Sequence, residues 1–255
     1  MRIPWATIAL SVTIVAVYFS LSRGTLYIPD EQLIGLSATM ATSQIGMLTH
    51  IFMHVGILHL LGNLIPLIAL GWVAESAIGT RDALAIFLVA GVVGGLAFTL
   101  INPTYYLVGA SAGLSGLLAA AVLTRPGSSI LALIAIPLVL MVLLPTASWA
   151  ADAQKTALEQ SSVQLSQQVQ TLLAENRTAE AAQANASLQT VLEAKNITET
   201  GQAREAATPS DATVHVLGGL VGFSWLLAFR KDALREGLQR YRTLGQRIRT
   251  LSLRH

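Results

Sequence analysis

Residues 50–74 read HIFMHVGILHLLGNLIPLIALGWVA and contain no Asp, Glu, Lys or Arg. The uncharged stretch is longer still, because none of these four residue types occurs between Glu31 and Glu75. A helix needs about 20 apolar residues to cross the hydrocarbon core of a bilayer. We therefore predict a membrane-spanning helix over about residues 56–74. The less apolar residues 37–55 are expected to lie in the interface.

The composition excludes a single soluble globular domain. Of the 255 residues, 53% are hydrophobic and 12% are charged, whereas soluble domains carry about 25% charged residues. The chain has no cysteine, which excludes disulfides, thiolate metal sites and cysteine nucleophiles. Its net charge of +2 is too small to indicate a nucleic-acid partner.

Other uncharged runs predict five further spans. The run after Asp82 is too long for one helix and breaks at Asn102-Pro103-Thr104, while residues 125–129 (RPGSS) predict a tight polar turn. The prediction is an all-α membrane protein with six transmembrane helices, and the five further spans cover about residues 4–22, 83–101, 107–124, 130–147 and 212–229.

The distribution of basic residues predicts the orientation. Six spans place both termini on one side, and that side then carries 11 of the 16 Lys and Arg residues. Cytoplasmic loops are rich in Lys and Arg, so both termini, including a basic tail at residues 230–255, are expected in the cytoplasm. Residues 17–22 offer no A-x-A cleavage site, so the first span is expected to be retained. We expect a multi-pass protein of a plasma membrane or bacterial inner membrane.

Residues 150–211, between spans five and six, differ from the rest of the chain. They are polar, rich in Ala and Gln, without aromatics, and carry net negative charge, which suits the non-cytoplasmic side. Leu158, Leu165 and Leu172 recur every seven residues, so we predict a helical hairpin with its turn within residues 176–185. A partly disordered, solvated loop is the alternative. The insertion is a candidate surface for a partner or for self-association. We expect its replacement over residues 155–205 to leave the membrane core folded.

Polar residues inside the second span indicate a functional site, because polar groups are costly in hydrocarbon. His59 and Asn63 are four residues apart and share one helix face. His50 and His54 form a second such pair at or before the start of that span. Their spacing also suits a zinc pair, but no Cys, Asp or Glu lies nearby, so no metal or other cofactor is expected.

Two further polar sites lie on spans four and six. Ser111 follows the Asn102-Pro103 break within a run of small residues. His215 lies near the start of span six, and Gly218 and Gly222 on its face form a G-x-x-x-G pair that lets two helices approach closely. Taken alone, each site suits helix packing. Together, a Ser, a His and a His/Asn pair supply a nucleophile, a base and oxyanion donors.

The sequence excludes two other intramembrane protease chemistries. No His is followed by Glu, so the H-E-x-x-H zinc motif is absent. No Asp lies inside a predicted span, so an aspartyl pair is absent as well. Serine chemistry remains.

These residues resemble the motifs of the rhomboid intramembrane serine proteases. The family pattern H-x-x-x-H-x-x-x-x-H-x-x-x-N is matched by residues 50–63, G-A-S-G by residues 109–112 except at Ala112, and H-x-x-G-x-x-x-G by residues 215–222. A weaker match, E-x-x-x-G-x-R, covers residues 75–81. The resemblance implies a six-helix bundle that hydrolyses transmembrane protein substrates with a Ser-His dyad. Its site would comprise catalytic Ser111 and His215, oxyanion or substrate contacts from His59 and Asn63, and the supporting residues His50, His54, Ser115, Gly109, Gly113, Gly218 and Gly222.

The chain departs from the family at several positions. Ala112 replaces the usual Gly after the nucleophile, Ser115 replaces a frequent aromatic, no Trp-Arg motif lies in the first external loop, and the insertion is long. Ser115 also follows a G-x-S pattern, so it is the alternative nucleophile. We favour Ser111 because it lies nearer the Asn102-Pro103 loop and closer to the depth of His215. A proteolytically silent rhomboid-like protein that binds transmembrane clients is the alternative function, and a metal- or haem-binding membrane protein is another.

Overall fold

The computed structural model describes residues 3–39, 45–207 and 212–252, with side chains up to residue 246. The described part of the chain contains ten α-helices, a 3-10 turn at His50–Phe52 and no strand. Two isolated antiparallel β-bridges pair Tyr27 with Gly56 and Ala38 with Leu107. The helices are α1 Trp5–Leu21, α2 Asp30–Leu36, α3 Gly46–Thr49, α4 Ile57–Ile78, α5 Thr80–Ile101, α6 Ser111–Thr124, α7 Pro126–Ala174, α8 Thr178–Ala207, α9 Ala212–Phe229 and α10 Lys231–Ser252.

The helices have the lengths and composition of an integral membrane protein. In the described ranges, α4, α5, α7 and α9 are long and apolar enough to cross a membrane, and α1 and α6 are shorter apolar helices. The predicted all-α membrane bundle with a helical polar insertion is therefore confirmed. α9 has the bounds predicted for span six.

Helix α6 lies at the centre of the bundle, packed against α4, α5 and α9. Small residues allow this close packing. A Cβ atom at Gly113 would lie 2.6 Å from the carbonyl oxygen of Phe87 on α5, and one at Gly116 would lie 2.9 Å from the Cβ of Ala90. The central helix therefore carries Ser111 at its first turn, surrounded by three helices.

Two predicted boundaries are wrong. Span four does not begin at residue 107, because residues 107–110 form the loop before α6. Residues 125–129 do not form a turn: Arg125 precedes α7, and Pro126 is its first residue. The proline ring fixes φ near the helical value and lacks an N–H that would be unpaired there in any case, so this Pro begins a helix.

Helix α7 joins the fifth span to the insertion without a break. It runs for 49 residues, so the predicted domain boundary at residue 150 lies inside it. Only 6% of the most apolar 18-residue stretch of α7 is buried within the protein. The apolar half of α7 therefore lies at the edge of the bundle and faces lipid.

The insertion is a helical hairpin whose base contacts the loop between α1 and α2. Its turn lies at residues 175–177, and Leu172 packs against Ala181 and Ala184 across the hairpin. At the base, the Gln154 side chain accepts a hydrogen bond from the N–H of Leu26 at 3.0 Å. The distal part thus packs across the hairpin, whereas the base is held to the bundle.

Contacts at the opposite end of the bundle tie α9 and α10 to α5 and α6. The indole N–H of Trp225 donates to Asp82 at 2.9 Å, and Arg230 forms an ion pair with the same carboxylate. The hydroxyl of Tyr241 donates to the Val122 carbonyl at 2.8 Å. These contacts fix the position of α9, which carries His215.

Candidate active site

Ser111 is the first residue of α6 and is partly buried. Gly109 before it has a φ of +121°, a conformation that favours glycine. The Gly109 N–H donates to the carbonyl of His50 at 2.9 Å, which fastens this loop to the turn before α4. Ala110 at the N-cap has no side chain that could bond the first amides of α6. The N–H groups beside Ser111 therefore have no side-chain cap.

His59 and Asn63 lie one turn apart on α4, and His59 reaches the loop before Ser111. A Cβ atom at Gly109 would lie 2.9 Å from Nε2 of His59, so the imidazole packs directly on the glycine. The buried Asn63 donates from Nδ2 to the carbonyl of His59 at 3.0 Å. Because a side-chain amide carries two N–H protons, one donor of Asn63 remains.

Two close contacts fix the register of α9 against α6. A methyl group at Gly218 would overlap the carbonyl oxygen of Ala112, and one at Gly222 would overlap that of Gly116. Both pairs have the same sequence offset, so the two helices run parallel at close range. The predicted G-x-x-x-G pair thus faces the helix that carries Ser111.

This register places the two candidate serines at different depths relative to His215. At 1.5 Å of rise per residue, His215 lies about 3 Å along the axis from Ser111 and about 9 Å from Ser115. The hydroxyl of Ser115 also donates to the carbonyl of Ser111 at 2.9 Å, which is the usual role of a serine inside a helix. The geometry therefore favours Ser111 as the partner of His215.

The structure does not join the two predicted catalytic side chains directly. Ser111 and His215 are both partly buried, and the hydrogen bonds of the described residues include none between them. The residues beside them do converge on α5: a Cβ atom at Gly94 would lie 2.6 Å from the Cβ of Ala112 and 3.2 Å from Cγ1 of Val214. Catalytic hydrogen bonds are often long before substrate binds.

The same contact explains how Ala112 is accommodated in place of the usual glycine. Its methyl group points at Gly94, where the absence of a side chain leaves room for it. The glycines of α5 were not among the predicted site residues. Gly94 and Gly95, adjacent in an otherwise apolar span, were the signal.

His50 and His54 are fully buried beside this site. Nδ1 of His50 lies 3.3 Å from the carbonyl of Gly46, and its ring packs on Gly95. The rings of His54 and His59 meet edge to face at 5.0 Å. Burial lowers the pKa of both His50 and His54 and so disfavours their charged forms. Within the described part of the chain, Nε2 of His50 and both nitrogens of His54 have no hydrogen-bond partner.

No group of three or more His, Cys, Asp or Glu side chains within the described ranges could hold a metal ion. His50, His54 and His59 follow one another along the chain, but they do not converge on a common point. The ring of His54 instead meets that of His59 edge to face, and His50 faces α5.

Glu205 was not among the predicted site residues, but it reaches this site from the insertion. Its carboxylate accepts a hydrogen bond from the N–H of His59 at 2.6 Å. Burial raises the pKa of this carboxyl group, and the amides of His59 and Leu58 oppose that rise. No local pattern distinguishes Glu205 from the other acidic residues of the insertion, so no sequence signal could have found it.

Residues 41–155 match the family model described as the rhomboid domain. The matched stretch contains His59, Asn63 and Ser111 and ends before α9, which carries His215. No curated protein and no solved structure matches the chain.

Proposed function

We propose that this protein is an intramembrane serine endopeptidase, because residues 41–155 match the rhomboid-domain model. It cleaves membrane proteins in or near their transmembrane segments with a dyad of Ser111 and His215. The observation that carries the proposal is the register of α6 and α9, which brings the two residues to similar depth next to an uncapped helix N-terminus.

The reaction proceeds in two steps. His215 takes the proton from the Ser111 hydroxyl as its oxygen attacks the carbonyl carbon of the scissile peptide, and then gives the proton to the leaving amine. A water molecule, deprotonated by His215, releases the acyl group from Ser111. The buried, unpaired nitrogens of His50 and His54 favour a hydrated pocket beside the site.

The oxyanion formed in each step needs hydrogen-bond donors. The first amides of α6 point toward the loop before Ser111 and carry the positive end of the helix dipole. His59 and the free N–H of Asn63 supply further donors, each worth roughly 3 to 4 kcal/mol. Gly109 allows the His59 ring to approach this region, because any side chain there would displace it.

Labelling with a fluorophosphonate probe tests the proposal. The wild-type protein should be labelled, Ser111→Ala and His215→Ala should not, and Ser115→Ala should retain labelling. Ser115→Ala is the matched control, because that serine lies one turn along the same helix. An adduct mapped to Ser115 by mass spectrometry would reverse the assignment.

A proteolytically silent rhomboid-like protein that binds transmembrane clients is the second candidate. The absence of a direct hydrogen bond between Ser111 and His215 in the described structure favours it. Absence of both probe labelling and substrate cleavage in folded wild-type protein would establish this alternative.

The proposed orientation places both termini in the cytoplasm and the insertion on the other side. Because the chain has no cysteine, single cysteines introduced at exposed positions report the side directly. A cysteine replacing Gln160 in the insertion should react with an impermeant maleimide from outside sealed cells. One replacing Gln239 on α10 should react only after the membrane is opened, and the reverse pattern would invert the orientation.

A further inference from the structure

The helix that carries His59 and Asn63 has no N-terminal cap of its own. Gly56 occupies the N-cap position of α4 and makes no side-chain hydrogen bond. The first amides of a helix lack intrahelical acceptors, and a side-chain oxygen usually bonds the second or third of them. In α4 those positions belong to Leu58 and His59.

The inserted hairpin supplies the missing cap. Glu205, near the end of α8, accepts a hydrogen bond from the His59 N–H at 2.6 Å, and the amide of Leu58 also acts to lower the pKa of its carboxyl group. A carboxylate at this position also interacts favourably with the helix dipole. A residue far along the chain thus takes the role that a local Ser or Asp plays in most helices.

Neighbouring contacts hold Glu205 in place. Gly201, one turn earlier on α8, packs so closely on Tyr27 that a methyl group would overlap the ring. Arg204 forms an ion pair with Asp30. A Cβ atom at Gly56 would lie 2.8 Å from Oε1 of Glu205, so the carboxylate needs glycine at the N-cap.

The cap is connected to the reacting serine by a short series of contacts. Glu205 holds the backbone N–H of His59, the carbonyl of His59 accepts from Asn63, and the His59 ring packs on Gly109. Gly109 lies two residues before Ser111. We propose that Glu205 is a positioning residue through which the inserted hairpin sets the placement of His59 and Asn63, and hence the rate of the reaction. This inference rests on the proposed function.

The position of the donors affects the chemical step more than substrate binding. Displacing a catalytic group by about 1 Å can cost 100-fold in rate. Glu205→Ala should therefore lower kcat by about 10- to 100-fold and change KM little. Glu205→Gln keeps an oxygen that can accept from both amides, so it should restore kcat to within about threefold of wild type.

The experiment measures kcat and KM of the full-length protein in proteoliposomes with a transmembrane peptide substrate. Glu199→Ala is the matched control, because this acidic residue lies on the same helix and pairs only with Lys195 in the described structure; it should behave as wild type. A wild-type kcat for Glu205→Ala would overturn the proposal, as would an equal loss in Glu205→Ala and Glu205→Gln. If Glu205→Ala does not fold, Glu205→Asp, with a shorter reach, should show the loss of kcat instead.

Amide hydrogen exchange separates this proposal from the proposed function. A peptide covering residues 57–63 should exchange faster in Glu205→Ala than in wild type and Glu199→Ala. If exchange is faster in Glu205→Ala but the wild-type protein shows no protease activity, the capping role of Glu205 stands and the protease assignment fails. Unchanged exchange would overturn the cap whatever the activity.

Discussion

The α-carbon of Gly218 lies against the carbonyl oxygen of Ala112, so closely that a methyl group on Gly218 would overlap that oxygen. The obstacle is backbone, which a change of rotamer cannot move. This contact and the equally close one of Gly222 on Gly116 set the separation of the helices that carry Ser111 and His215. The geometry of the proposed dyad therefore depends on a position that touches neither side chain.

Gly218→Ala should separate α9 from α6 and impair the dyad. Overpacking of this kind costs about 1–3 kcal/mol, and we expect probe labelling of Ser111 to fall by at least about tenfold. Gly219→Ala is the matched control, because its nearest neighbour would be the Ser115 carbonyl at 4.0 Å. Thermal unfolding and labelling measure the two effects, and equal behaviour of the two variants would contradict the prediction.

Asn63→Ala should reduce turnover by about two to three orders of magnitude, because it removes a proposed oxyanion donor. Labelling of Ser111 should remain detectable, since the nucleophile and base are intact. Gly62→Ala serves as control, because an added methyl there meets no atom within 4 Å. Cleavage of a transmembrane substrate is the measurement, and a wild-type rate for Asn63→Ala would remove Asn63 from the site.

The sequence predicted the parts of this molecule that depend on local pattern. The bounds of α9 and the spacing of His59 and Asn63 follow from runs of apolar residues and from helical periodicity. The turn predicted at residues 125–129 was wrong, because Pro and Gly occur both in turns and in the first turn of a helix. Only the apolar residues that follow on the same helix decide between the two.

Other features depend on contacts between residues far apart in the chain. The fit of Ala112 requires Gly94, and the cap of α4 requires Glu205, more than a hundred residues later. Glu205 does not stand out among the acidic residues of the insertion, and Gly94 is marked only by its adjacent glycine, Gly95. Such pairs become visible only when the packing of the helices is known.

The hairpin divides into a dispensable distal part and a base that holds Glu205. Replacing residues 160–190 with a short Gly/Ser linker should leave thermal stability and probe labelling unchanged, because the buried cluster in this segment packs within the hairpin. Replacing residues 155–205, expected from the sequence to be tolerated, should also remove the cap and lower kcat. Substrate choice and oligomeric state are then compared between wild type and the 160–190 replacement. A change in either would show that the distal part binds a partner or self-associates. Equal activity of the two replacements would contradict this division.

The buried carboxyl of Glu205 predicts a dependence of stability on pH. Burial raises its pKa in the folded protein above the usual value of about 4.3. Folding therefore favours the protonated form, and the stability that this gives is fully present below the usual pKa and lost as pH rises through the folded pKa. The nearby hydroxyl of Tyr27 stays neutral in this range, because burial raises its pKa to about 12.

Thermal unfolding of wild type and Glu205→Gln between pH 4 and 8 measures this effect. The difference in Tm, wild type minus variant, should decrease as pH rises, because only wild type must bury a new charge. Glu180→Gln gives the control of opposite sign, since a hydrogen bond from Arg177 lowers the pKa of Glu180, and its difference should increase with pH. Glu180 is exposed, so solvent screening keeps that change small. A Glu205 difference that is flat or rises with pH would show that the carboxyl is charged in the folded protein at the same pH as in the unfolded chain, or below it.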